Sequence, residues 1–106
     1  MKLLNAFSIQ MCAHLGDFNV TFRQVSEDIA KDMITAYPVE SFIGHQDMVT
    51  VINGLLGIEI SFNRQFATLD RGETALVVQY CGQRLPEGAT VLPEGATFKW
   101  FVVTIV

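Results

Sequence analysis

The side chains in this chain that can move a proton or hold an anion near neutral pH are few. His14 and His45 are its histidines, and Arg23, Arg64, Arg71 and Arg84 its arginines. The histidines are not at ligand spacing, and there is no P-loop, dinucleotide-binding glycine fingerprint, zinc spacing or nucleophile elbow. Metal catalysis is therefore not expected, and no cofactor is implied. What remains is a set of polar residues just outside the ends of expected strands and helices: Asn5 and Ser8, His45, Asn63-Arg64, Gln79, and Gln83-Arg84 with Glu87. Histidine, glutamate and arginine together suffice for metal-free transfer within a phosphodiester. One group deprotonates a hydroxyl, another protonates the leaving oxygen, and arginine stabilises the charge of the phosphorane.

Each of these residues also has a plainer reading. His45 alone is equally a surface histidine. Arg64 after Asn63 suits a salt bridge at a strand start, Glu87 in Pro-Glu-Gly a solvated turn, and Asn5 a hydrogen bond at a strand end. Residue types alone leave both readings open.

The elements that must position these groups centre on residues 41–57. Met48, Val51, Ile52, Leu55 and Leu56 fall at i, i+3, i+4, i+7 and i+8, the apolar stripe of an amphipathic helix. Gly57 just beyond it is suited to the left-handed stop. Gly44 lets the backbone turn in, which places His45 at or beside the first helical turn, among unpaired N–H groups that also attract anions such as phosphate.

Elsewhere, Lys2 to Phe7 reads as a short buried strand and residues 8–17 as a loop or short helix ending at Gly16-Asp17. Phe18 to Phe22 alternates as a half-buried strand. Ser26 is the expected N-cap of a helix running to about Tyr37, with Ile29, Met33 and Tyr37 inward and Pro38 as its stop. A hairpin is expected from Gln65–Leu69 and Ala75–Tyr80 around Asp70-Arg71-Gly72-Glu73, with a closing apolar strand from Phe98 to Val106. Leu-Pro-Glu-Gly-Ala-Thr occurs twice, at 85–90 and 92–97, and reads as a loop of two turns. The order β-β-α-α-β-β-β gives an α/β or α+β fold, a mixed sheet of about five strands with helices packed on it, in one domain spanning residues 1–106.

Composition narrows the partners. Half of the 106 residues are hydrophobic and 17% are charged, yet no apolar run reaches the roughly 20 residues of a membrane helix. The surplus of apolar residues points to an interface, and so to a homodimer. Residues 1–5 lack the apolar core of a signal peptide, and Cys12 and Cys81 stand far apart, as in a reduced, cytoplasmic setting. A net charge of −4 argues against a protein that coats DNA or long RNA, but leaves room for a small anion held by a few arginines.

Leu4-Asn5-Ala6-Phe7-Ser8, then Ser41-Phe42-Ile43-Gly44-His45 opening a helix that ends Leu55-Leu56-Gly57, then Asn63-Arg64, Val77-Val78-Gln79 and Arg84-Leu85-Pro86-Glu87-Gly88, together resemble the viral ring nucleases. These are anti-CRISPR proteins, with cellular relatives, that act against type III CRISPR defence. The blocks keep the family's order over nearly the whole chain. The resemblance implies a homodimer that binds cyclic tetra-adenylate on its two-fold axis. It also implies metal-free cleavage to linear products with 2′,3′-cyclic phosphate ends, which silences the defence. His45 would be the general acid for the departing 5′ oxygen, and Glu87 would sit near the attacking 2′-hydroxyl. Arg84 and Arg64 would hold phosphates, while Asn5, Ser8, Gln79, Gly44 and Gln83 would lie along the ligand.

The chemistry is compatible with these residues, since RNA carries its own nucleophile in the 2′-OH. The helix terminus disfavours the imidazolium and a bound phosphate favours it, so the acid is expected to become competent only with substrate bound. The duplicated Leu-Pro-Glu-Gly-Ala-Thr stands where the family often has a helix, which makes Glu94 a competitor of Glu87. Glu87 is preferred because it follows Gln83-Arg84 directly. Two other classes stay open: a dimeric module that sequesters a cyclic nucleotide or a protein partner without turnover, and a small viral structural or regulatory protein.

Overall fold

The computed structural model describes residues 1–106. Its strands are β1 (Lys2–Leu4), β2 (Val20–Val25), β3 (Glu40–Phe42), β4 (Thr74–Cys81) and β5 (Thr97–Ile105), and its helices a 3₁₀ helix (Ile9–Leu15), α1 (Glu27–Ala36) and α2 (Gln46–Leu56). They form an α+β fold around one five-stranded sheet of order β2-β5-β4-β1-β3. β1 runs parallel to both β3 and β4, while β5 is antiparallel to β4 and β2.

β4 and β5 are runs of β-branched and aromatic residues, and they pair from Thr74↔Thr104 to Cys81↔Thr97. Successive strand residues point to opposite faces, so Leu3 and Leu4 enter different cores. Leu3, Leu76, Val78 and Trp100 meet α1 and α2 in one cluster. Leu4, Val77, Val103 and Ile105 meet Cys12 of the 3₁₀ helix, with Ala67 and Leu69, in the other.

The helix after Gly44 forms as its pattern requires. Met48, Val49, Val51, Ile52 and Leu56 are buried, each contributing about 1.5–3 kcal/mol of apolar burial. Gly57 ends the helix in the left-handed conformation (φ 65°, ψ 39°). Leu55, expected on the stripe, is 45% exposed.

Four expectations need correction. The inward face of α1 is Ala30 with Met33 and Ile34, whereas Ile29 and Tyr37 are exposed; the helix is rotated by about one residue, or roughly 100°. The strand expected at Phe18–Phe22 lies later, at Val20–Val25. Gln65–Leu69 is not a strand. Its alternation is real, with Ala67 and Leu69 buried, but both hydrogen-bonding edges of β4 are taken by β1 and β5, and the Leu69 N–H donates to the Met11 carbonyl instead. The fifth strand is instead β3, an edge strand paired with β1 where no strand is expected.

Candidate functional site

β3, β1 and β4 are parallel neighbours, so their carboxyl ends lie on one edge of the sheet, where open sheets place ligands. The register sets Leu4 level with Phe42 and Val77. Asn5 therefore leaves β1, Gly44 and His45 follow β3, and Gln79, Gln83 and Arg84 mark the end of β4, all at that edge.

His45 is the N-cap of α2, with an extended backbone (φ −130°, ψ 108°), and its Nδ1 accepts the Met48 N–H at 3.2 Å. A nitrogen that accepts carries a lone pair, so the geometry assigns the proton of the neutral ring to Nε2. His45 lines an open cavity of about 490 Å³ with Asp47, Arg84, Leu85, Pro86 and Glu87. The Glu87 turn is built by Pro86, whose carbonyl accepts the Ala89 N–H at 3.1 Å, and by Gly88 at φ 77°. Gly88 then donates its N–H to Asp47 Oδ2 at 3.0 Å, which fastens the turn to the first turn of α2. The matching turn at Glu94 is not part of this cavity.

A second cavity of about 410 Å³ is lined by ten residues, among them Asn5, Gly44, Arg64, Gln65, Phe42 and Phe66. Gly44 lines this cavity and its chain neighbour His45 lines the first. Arg64 is delivered by its neighbour Asn63, whose N–H donates to the Ile43 carbonyl at 3.0 Å and whose Nδ2 donates to the Ser41 carbonyl at 2.8 Å. The preceding loop is held by Asn53, which accepts the Ile60 N–H at 2.7 Å and donates to the Ile60 carbonyl at 3.0 Å. Gly44 eases the approach, because a Cβ there would stand 3.1 Å from Arg64 Cγ and press the arginine aside by a few tenths of an ångström.

The ion pairs of the structure are Lys2–Glu73 and His14–Asp70. Arg64 and Arg84 are thus free of carboxylate partners. Arg71, by contrast, is occupied: its guanidinium donates to the carbonyls of Asp17 at 2.7 Å, Val106 at 3.1 Å and Leu15 at 3.3 Å.

The expected site residues therefore fall into groups. His45, Arg84 and Glu87 share one cavity, and Asn5, Gly44 and Arg64 share the next. Gln79 lines a third hollow with Phe7, Phe22, Val77 and Phe101. Ser8 caps the 3₁₀ helix, its Oγ accepting the Gln10 N–H at 3.3 Å. Gln83 lines none of the three, and its carbonyl accepts the Tyr80 hydroxyl proton. Asp47, Gln65 and Phe66 line these cavities without being among the expected site residues. For Asp47, its place two residues after His45 was the available signal.

No curated protein matches the chain. Among solved structures it is similar to B116 of Sulfolobus turreted icosahedral virus, with 25% identity, a TM-score of 0.81, and 97% of each chain covered. The STIV B116-like family model matches residues 1–96, and the chain belongs to that family, whose namesake is a viral protein.

Proposed function

We propose that this protein is a metal-independent ring nuclease that, as a homodimer, opens cyclic tetra-adenylate and so antagonises type III CRISPR signalling. One observation carries the reading: His45, Arg84 and Glu87, distant in sequence, line one open cavity at the N-terminus of α2. An anion is drawn there by the unpaired N–H groups of the helix start and by an arginine with no internal partner. The kinship with a viral protein agrees with a role against a host defence.

In the proposed reaction the ribose 2′-oxygen attacks the adjacent phosphorus while Glu87 accepts the hydroxyl proton. The bond from phosphorus to the 5′ oxygen breaks, and His45 gives that oxygen a proton. The products are a 2′,3′-cyclic phosphate and a 5′-hydroxyl. Arg84 balances the charge of the phosphorane, and Arg64 with Asn5 holds the neighbouring nucleotide from the adjoining cavity. Full proton transfer from His45 requires the imidazolium, so Nδ1 must give up its lone pair and with it the Met48 cap. A substrate phosphate at Nε2 favours that charged form. Dimerisation is supported by the exposed Phe22, Phe62, Phe66 and Ile9, and an isologous pair would repeat each contact for a ligand with internal symmetry.

Incubation with cyclic tetra-adenylate in excess EDTA, followed by chromatography, tests this reading. Linear products with cyclic phosphate ends are the expected result. Intact ligand that co-elutes with the protein would replace the nuclease with a sequestering module, and intact ligand that does not bind would remove the nucleotide altogether.

A further inference from the structure

Asp47 is out of place in a cavity meant for an anion. It lines the same wall as His45, Arg84 and Glu87, in the first turn of α2, where a free carboxylate would repel a phosphate and compete for the local N–H groups. The carboxylate is not free. Its Oδ2 receives the Gly88 N–H at 3.0 Å, across 41 residues of chain.

We propose that Asp47 is the positioning residue of Glu87. This rests on the nuclease reading of the same cavity and names how its carboxylate is placed. The Pro86–Ala89 turn closes on its own, through the Ala89 N–H and the Pro86 carbonyl at 3.1 Å. Gly88 at φ 77° lets the backbone adopt it. That internal bond fixes the shape of the turn but not its location, since it lies inside residues 82–96, which join β4 to β5 without belonging to the sheet. Leu85 and Ala89 rest on the helix-side core, and Asp47 supplies the hydrogen bond that fixes the turn against the start of α2. Glu87 is the residue immediately before the anchored Gly88, and His45 is two residues before the anchor on the helix side. The bond thus sets the spacing between the two groups that handle the proton. It also occupies one oxygen of Asp47, whereas Glu87 makes no hydrogen bond or ion pair and is the unengaged carboxylate of the cavity. Glu94 lies in the same kind of turn but outside this cavity, which adds placement to the sequence ground for preferring Glu87.

Substitution of Asp47 by asparagine and by alanine tests the assignment in the full chain. Asparagine retains an oxygen that accepts the Gly88 N–H, and alanine does not. Asp47→Ala should leave the melting transition cooperative, speed hydrogen exchange at the Gly88 amide, and lower kcat on cyclic tetra-adenylate by about 10²-fold, the typical cost of misplacing a reacting group by about an ångström. KM should change little, and Asp47→Asn should recover most of both effects. A purely structural role would not give that split or that rescue. If Asp47→Ala turns over at the wild-type rate, or if Asp47→Asn is as slow as Asp47→Ala, the assignment is overturned. A wild-type chain that does not cleave would sink the nuclease reading instead. Gly88 exchange then still decides the clamp, and equal rates in the wild type and both variants overturn it.

Discussion

His45 Nδ1 accepts the backbone N–H of Met48 at 3.2 Å, so the side chain expected to supply a proton is also the N-cap of the helix that carries it. The two roles separate by substitution. Asparagine is among the best N-caps, while alanine forfeits about 1 kcal/mol of capping. His45→Asn should melt near the wild type and His45→Ala a few degrees lower, yet both should cleave cyclic tetra-adenylate about 10²–10⁴-fold more slowly, as expected on losing a general acid. Circular dichroism melts with single-turnover assays check this. Wild-type cleavage by His45→Asn would remove the histidine from the chemistry.

Gly44 and Arg64 give a second, independent probe. A Cβ at residue 44 would meet Arg64 Cγ at 3.1 Å and Cα at 3.4 Å, so Gly44→Ala must push the arginine by a few tenths of an ångström. Binding of cyclic tetra-adenylate, measured by calorimetry, should weaken in Gly44→Ala and weaken more in Arg64→Ala, with His45 still in place. Each tenfold loss corresponds to about 1.4 kcal/mol. Unchanged affinity in Arg64→Ala would show that the second cavity holds no phosphate.

What the sequence reveals here is what is decided locally. Helix α2 is legible because its stripe, its N-terminal turn and its Gly57 stop all lie within one short stretch. Ser26 is equally legible, and its Oγ accepts the Ile29 N–H at 3.2 Å as an N-cap should. Strand β3 is illegible, since three residues, Glu40–Phe42, become a strand only because β1 lies beside them. Gln65–Leu69 has the right alternation and the wrong partners. In the site, His45 is announced by Gly44 and by the helix behind it. The Asp47–Gly88 bond has no local signature at all, because its partners are 41 residues apart. The inward face of α1 is likewise set by the sheet beneath it, where a small residue, Ala30, fits rather than Ile29.

Cys12 makes stability depend on alkaline pH. Burial pushes its thiol above the ordinary value of 9.0, and the Glu73 and Asp70 carboxylates push it the same way. The unfolded thiol ionises at the ordinary value while the folded one still holds its proton. The contribution to stability is therefore complete below pH 9.0 and is lost as pH rises through the folded value. Melting temperature should fall on the alkaline side in the wild type and fall less steeply in Cys12→Ala, although that variant starts lower through the lost packing. Parallel alkaline slopes would show that Cys12 is not responsible. In the native protein Cys81, only partly buried, should react with a thiol reagent well before Cys12.

The Ala96 side chain leaves no room for anything but glycine at residue 82. A Cβ on Gly82 would stand 2.8 Å from Ala96 Cβ and 3.0 Å from its Cα, at a φ of 150° that L side chains rarely adopt. This contact lies just past Cys81↔Thr97, where β4 and β5 part, and it closes the neck of residues 82–96, which carry both Arg84 and Glu87. Gly82→Ala combines backbone strain on the order of 1–3 kcal/mol with a clash, and for a domain of this size each kcal/mol lowers Tm by roughly 4–8 °C. Adding Ala96→Gly removes the 2.8 Å clash with the side chain but neither the 3.0 Å approach to Cα nor the strain, so the double variant should recover only part of the loss. Because the neck also sets where Arg84 and Glu87 emerge, cleavage should fall in Gly82→Ala even at temperatures where the fold is intact, and should return in step with stability in the double variant. A Gly82→Ala chain that melts and cleaves like the wild type would mean that the neck gives way freely and that the core packing of Leu85 and Ala89 with the Asp47 bond places the turn.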